Sequence, residues 1–65
     1  PSHIDAYVNM GVIYAEKKAY TRALKSYAKA LSILPEDRGP FMSLSTFVEN
    51  QNLAREYAAE IKGKL

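Results

Sequence analysis

The sequence predicts an all-α fold in which antiparallel helix hairpins stack side by side, and three observations carry that expectation. Two stretches of apolar residues at helical spacing, about Ile4 to Lys17 and about Tyr20 to Leu34, are parted only by Lys17, Lys18 and Ala19. So short a joint makes two helices antiparallel neighbours. Proline recurs at Pro1 and Pro35, 34 residues apart, a period that belongs to stacked supersecondary units. Hydrophobic residues make up 48% of the 65-residue chain and Cys is absent, so a small core must hold without disulfides.

In the first helix Ser2 is the expected N-cap, with Asp5 as a short version of the capping-box acid. Ile4, Tyr7, Val8, Met10, Val12, Ile13, Tyr14 and Ala15 cover nearly the whole circumference, and Asp5, Asn9 and Glu16 are the main polar members. A helix that is apolar all round is buried on more than one side, so something beyond its own hairpin must cover it. Gly11 lies inside this helix at a cost of roughly 0.5–1 kcal/mol relative to Ala. Close approach of a second helix is the natural offset.

The second helix has one apolar face: Tyr20, Ala23, Leu24, Tyr27, Ala30, Leu31 and Leu34 recur at spacings of three and four. Arg22, Lys25, Ser26, Lys29 and Ser32 lie opposite, toward water. Tyr14 and Tyr27 fill the space between the two helices. Pro35 ends the second helix, and Glu36 to Pro40 form a linker. Pro40 suits the first turn of a third helix, about Pro40 to Asn50, carrying Phe41, Leu44, Phe47 and Val48. Asn50, Gln51 and Asn52 mark a break. A last helix, about Leu53 to Lys62, presents Leu53, Ala54, Tyr57, Ala58 and Ile61, with Gly63 as its stop. One long helix from Pro40 to Lys62 is the alternative, because nothing between those limits is a strong breaker.

The order Tyr7, Met10, Gly11, Tyr14, then Ala23, Tyr27, Ala30 and Pro35 resembles the tetratricopeptide repeat. The resemblance covers residues 1–37 as one complete helix hairpin within a short α-solenoid. Residues 38–65 are a degenerate second repeat or C-terminal capping helices. In 34-residue register Phe41, Leu44, Ser45 and Val48 follow Tyr7, Met10, Gly11 and Tyr14. Tyr57 then falls where the family prefers a small residue, which puts the packing of the last helix in question.

The family resemblance implies a concave groove for a peptide or helix, lined by the first helix of each unit. Here that groove comprises Asp5, Val8, Asn9, Val12 and Glu16, with Met42, Ser43, Thr46 and Glu49 beside them. Family members that grip a peptide's terminal carboxylate carry a Lys three residues before the Gly and an Asn just after it. Val8 and Val12 hold those places, so the charged clamp is absent. Asn9 matches a family amide suited to a ligand's main chain. Val8 and Val12 have a second reading as core, and Asn9 as the partner of a local polar group.

Charge and composition narrow the function further. Glu16 to Lys29 holds five basic residues and one acid, whereas Glu36 to Glu60 holds five acids and two arginines. That polarity suits head-to-tail stacking or an oriented encounter. With a net charge of +2, nucleic acid is not an expected partner. The Lys18, Arg22, Lys25 and Lys29 stripe reads as a solvated outer face, and the tyrosines as packing residues. Glu56 and Glu60 read as solvated too. His3 is the only histidine, so neither a metal site nor a histidine base is expected. Gly11, Gly39 and Gly63 are too scattered for a phosphate loop, no nucleophile stands at useful spacing from a base, and no cofactor is expected. The start at Pro1 suggests an excised or processed chain. No apolar run approaches the roughly 18 residues of a membrane span. The residues leave the compartment open, with the cytoplasm as the default expectation. An interaction module is the leading function, and a self-associating segment of a longer array or oligomer is the alternative; a nucleic-acid-binding helical domain, using the basic outer face, ranks below both.

Overall fold

The computed structural model describes residues 3–65. Three α-helices follow one another: α1 (Ile4–Glu16), α2 (Tyr20–Ser32) and α3 (Leu44–Lys64), with a 3-10 turn at Pro35–Asp37 in between. The first two form the expected antiparallel hairpin. The third packs against both and completes the core.

His3 takes the N-cap place of α1 without a side-chain bond, and the cap expected at Ser2 lies outside the described residues. At its other end α1 stops one residue earlier than its apolar spacing suggests. Ala19 N–H donates to the Tyr14 carbonyl and Lys18 N–H to the Ala15 carbonyl, both at 2.9 Å. This pair of bonds is a Schellman stop, whose hinge residue takes the left-handed conformation usually given to Gly. Lys18 occupies it here, with φ 61°.

Gly11 and Tyr27 lock the hairpin. A methyl added at Gly11 would land on the Tyr27 ring, with Cδ1 only 2.6 Å away. The glycine therefore makes room for Tyr27, the largest fully buried side chain among the described residues. Ala23 and Ala30, small and buried on α2, let the neighbouring helices approach. Burial of such large side chains stabilises a core by about 1.5–3 kcal/mol each.

Several boundaries differ from the sequence expectation. Helix α2 ends at Ser32, because the residue before a proline is driven into the extended region; Leu34 has ψ 149° and its side chain is exposed. Ser26, expected in water, is buried. Pro40 does not open a helix. Arg38 holds the linker instead, donating through Nε to the Met42 carbonyl at 3.0 Å and through Nη1 to the Pro35 carbonyl at 2.9 Å. The next helix begins after Ser43, whose Oγ accepts from Thr46 N–H at 3.1 Å. That side-chain cap satisfies an otherwise orphan donor.

The break expected at Asn50, Gln51 and Asn52 is absent, and α3 runs unbroken for 21 residues, about 31 Å of helix. Asn50 Nδ2 donates to the Thr46 carbonyl one turn back, at 3.0 Å, which ties the side chain along the helix rather than into a turn. Gly63 is inside this helix instead of ending it. Residues 44–64 therefore never fold back into a second hairpin. Phe47, Ala54 and Ile61, at spacings of seven, form its buried seam.

Candidate functional site

The seam of α3 meets Ile4 and Val8 of α1 and Tyr27 of α2 in one core. This contact provides the cover that the apolar first helix requires, on one side only. Val8 is buried at 3% exposure, whereas Ile13, on the far side of α1, is 50% exposed. Asp5, Asn9, Val12 and Glu16 recur at spacings of four, three and four, so they share one stripe beside that core. Asp5, Asn9 and Glu16 are exposed and Val12 is half-buried. Val8 points inward, which removes it from any binding face.

The partners expected from the second half are placed less uniformly. Met42 is half-buried against the core. Ser43 caps α3 and shares hydrogen bonds with Ser45 and Thr46. Thr46 and Glu49 are exposed. They fall on the same helical stripe as Leu53, Tyr57, Glu60 and Lys64, again at spacings of three and four. The stripe therefore continues well past the residues named from sequence.

An open groove of about 420 Å³ lies where the C-terminal ends of α1 and α3 meet the start of α2. It brings together Val12 and Glu16 with Tyr20, Tyr27, Tyr57 and Glu60; Ala15, Ile61 and Lys64 complete it. Only Val12 and Glu16 of the sequence-derived set belong to it. The rings of Tyr27 and Tyr57 are 6.0 Å apart and tilted by 52°, within the range of favourable aromatic pairs. The Lys64 ammonium stands 5.8 Å from the centre of the Tyr20 ring. Burial raises the Tyr27 pKa above 10.0, and the neighbouring Tyr57 and Glu60 add to the rise. A neutral phenol can both donate and accept a hydrogen bond.

Sequence reasoning missed Ala15, Tyr20, Tyr27, Tyr57, Glu60, Ile61 and Lys64 as groove residues. The signal was the spacing of Tyr57, Glu60 and Lys64, legible only once residues 44–64 are taken as one helix. Tyr57 is also the residue that departs from the small-residue pattern of a second repeat. In a continuous helix no small residue is needed there, and its ring packs on Tyr27 instead.

A second groove, about 340 Å³, opens on the other side of the hairpin between α1 and α2. Tyr7, Met10 and Tyr14 face Arg22, Lys25 and Lys29 across it, and the Lys29 ammonium sits 5.7 Å from the Tyr7 ring centre. Among the described residues no group of three His, Cys, Asp or Glu is arranged to hold a metal ion. No described helix is long and apolar enough to cross a membrane.

The hairpin geometry, with Tyr27 seated on Gly11 and Pro35 just beyond α2, meets an independent comparison at this point. The family model for the tetratricopeptide repeat matches residues 4–37. The chain belongs to the tetratricopeptide repeat family. No curated protein and no solved structure matches it. Tetratricopeptide repeats generally mediate protein–protein interaction, and the family is typically non-enzymatic. The matched segment includes α1, α2 and the 3-10 turn, and leaves α3 outside the tetratricopeptide unit.

Proposed function

We propose that this tetratricopeptide chain is a non-catalytic binding module that receives a peptide or helix of another protein along the face shared by α1 and α3. Asp5, Asn9, Val12 and Glu16 would line one side, and Thr46 and Glu49 the other. Val8 and Met42 support that face from beneath, and Ser43 anchors the helix that borders it. Helix α3 acts as a C-terminal cap over a single hairpin, supplying the cover that a following unit would supply in a longer array. The observation that carries this reading is the open groove at Val12, Glu16 and Tyr57. Apolar floors with a few polar rims suit peptide capture.

The test is capture of partners by the native chain and by two variants, Asn9→Ala and Val12→Glu. Neither position is in the buried core, so both variants should fold. A genuine ligand is weakened by both. Unchanged binding by both variants rejects the assigned face.

Self-association is the second reading, favoured by apolar surface that the hairpin and cap leave open. Met10 and Ile13 are exposed on α1, Leu44 and Val48 in the first turns of α3, and Phe41 in the linker before it. Light scattering over a range of concentrations decides it. A monomer at every concentration, with a cooperative melt, removes that reading.

A further inference from the structure

We infer that the groove at the C-terminal ends of α1 and α3 receives one basic side chain, arginine or lysine, of the partner protein. This inference rests on the proposed binding face and specifies what part of it recognises.

The groove combines tyrosine rings with carboxylates. Glu16 enters from α1 and Glu60 from α3, and Tyr20, Tyr27 and Tyr57 provide rings between them. Ring faces carry negative potential and attract cations, more strongly where water is excluded. The chain already displays the contact: its own Lys64 ammonium lies over Tyr20. Lys64 is the last residue of α3 and is exposed, so its side chain can leave without disturbing the core. It acts as an internal placeholder for a cation brought by the partner.

Tyr27 contributes to the groove floor. The residue is only 1% exposed, so its ring is shielded from water there, where a contact between a cation and a ring is stronger.

Donor-only cations fit this set of acceptors. A guanidinium offers five N–H donors and an ammonium three, and neither accepts. Glu16, Glu60 and the tyrosine oxygens accept. The guanidinium plane also stacks on a ring. An anionic side chain would instead meet two carboxylates, Glu16 and Glu60. The opposite groove has the reverse sign, with Arg22, Lys25 and Lys29 along it. The two sides of the hairpin thus discriminate by charge as well as by shape.

The experiment titrates the isotope-labelled 65-residue chain with the blocked tripeptide acetyl-Gly-Arg-Gly-amide, its lysine counterpart, and its citrulline counterpart, which keeps arginine's shape without its charge. Saturable amide shifts are expected at Glu16, Tyr57 and Glu60 with both basic peptides. The citrulline peptide should bind about tenfold more weakly, the usual scale for losing charge assistance. The double variant Glu16→Gln, Glu60→Gln changes two exposed positions and should bring the basic peptides down to the citrulline level. Lys64→Ala should tighten them by about two- to fivefold, because no internal cation competes. Equal titrations with all three peptides, shifts at Tyr7 and Lys29 instead, or no saturable shift at all each overturn the inference. The two readings fail separately. A partner weakened by Asn9→Ala and Val12→Glu, yet indifferent to citrulline in place of its arginines and glutamine in place of its lysines, sinks the cation site and leaves the binding face standing.

Discussion

Residues 4–32 and residues 44–64 build helix by different means. The hairpin is organised by exceptions: a glycine that admits a tyrosine ring, a lysine at φ 61° that stops a helix, alanines that let helices close. Helix α3 is organised by regularity, a single seam of Phe47, Ala54 and Ile61 under a capping serine. The first kind of region tolerates little substitution, because each special residue is matched to one partner. The second kind is tolerant along its length and depends on a few large contacts. Function is proposed where the two regions meet, and neither alone forms the groove.

The sharpest way to break this comparison is to empty one large site in each region. Tyr27→Ala and Phe47→Ala each remove a fully buried aromatic side chain and should cost about 3–5 kcal/mol. A domain of this length has only about 3–10 kcal/mol to lose, so urea denaturation should find both variants unfolded or nearly so. If Phe47→Ala melts α3 and leaves the hairpin intact by far-UV circular dichroism and amide exchange, the two regions are separate cooperative units.

Glycine substitutions sharpen it next. Gly11→Ala should destabilise by about 1–3 kcal/mol, because overpacking against Tyr27 outweighs the gain in helix propensity. Gly63→Ala meets nothing within 4 Å and should be neutral or stabilise by up to about 1 kcal/mol. Denaturant midpoints compare the two directly, and equal effects would deny the special role of Gly11.

Backbone conformation supplies a smaller contrast at the joints. Lys18→Gly should stabilise by about 1 kcal/mol, since a side chain in the left-handed region is strained. Gly39→Ala, at φ 91°, should destabilise by a similar amount, about 1 kcal/mol. Thermal melts with opposite shifts are the expected result.

The smallest effect is alkaline. The Tyr27 pKa is raised above 10.0 in the folded protein, so the unfolded chain gives up this proton first. The Tyr27 contribution to stability is complete below pH 10 and is lost as pH rises from there through the folded value. Urea midpoints taken above pH 10 should fall, and Tyr27→Phe should flatten that fall. An unchanged slope in the variant would assign the alkaline loss to other groups.

The hairpin was legible because its contacts are local and its residue types unusual. Gly11, Ala23, Tyr27 and Pro35 announce a close helix pair before any coordinates are drawn. The stripe of Asp5, Asn9, Val12 and Glu16 on α1 was legible for the same reason, through helical spacing, but Val8 was not separated from it. Spacing places Val8 near the stripe, and only the arrival of Phe47 and Ala54 across the core turns it inward.

Residues 40–62 were ambiguous because local signals there conflict. Pro40 suits a helix start and Asn50 to Asn52 suit a turn, yet Ser43 and Thr46 form a better cap and Asn50 bonds back along its own helix. The groove of Tyr20, Tyr57, Glu60 and Lys64 was hidden behind that ambiguity. Its members are far apart in the chain, and the contacts that assemble them are between helices.

Periodicity and the placement of glycine and proline were enough to dictate a paired-helix unit and the faces it buries, because those constraints act within a few residues. The unbroken course of α3 and the sided cover of α1 came from packing. So did the meeting of three tyrosines with two glutamates, because long-range burial outweighs the small local preferences that had left the chain's second half undecided.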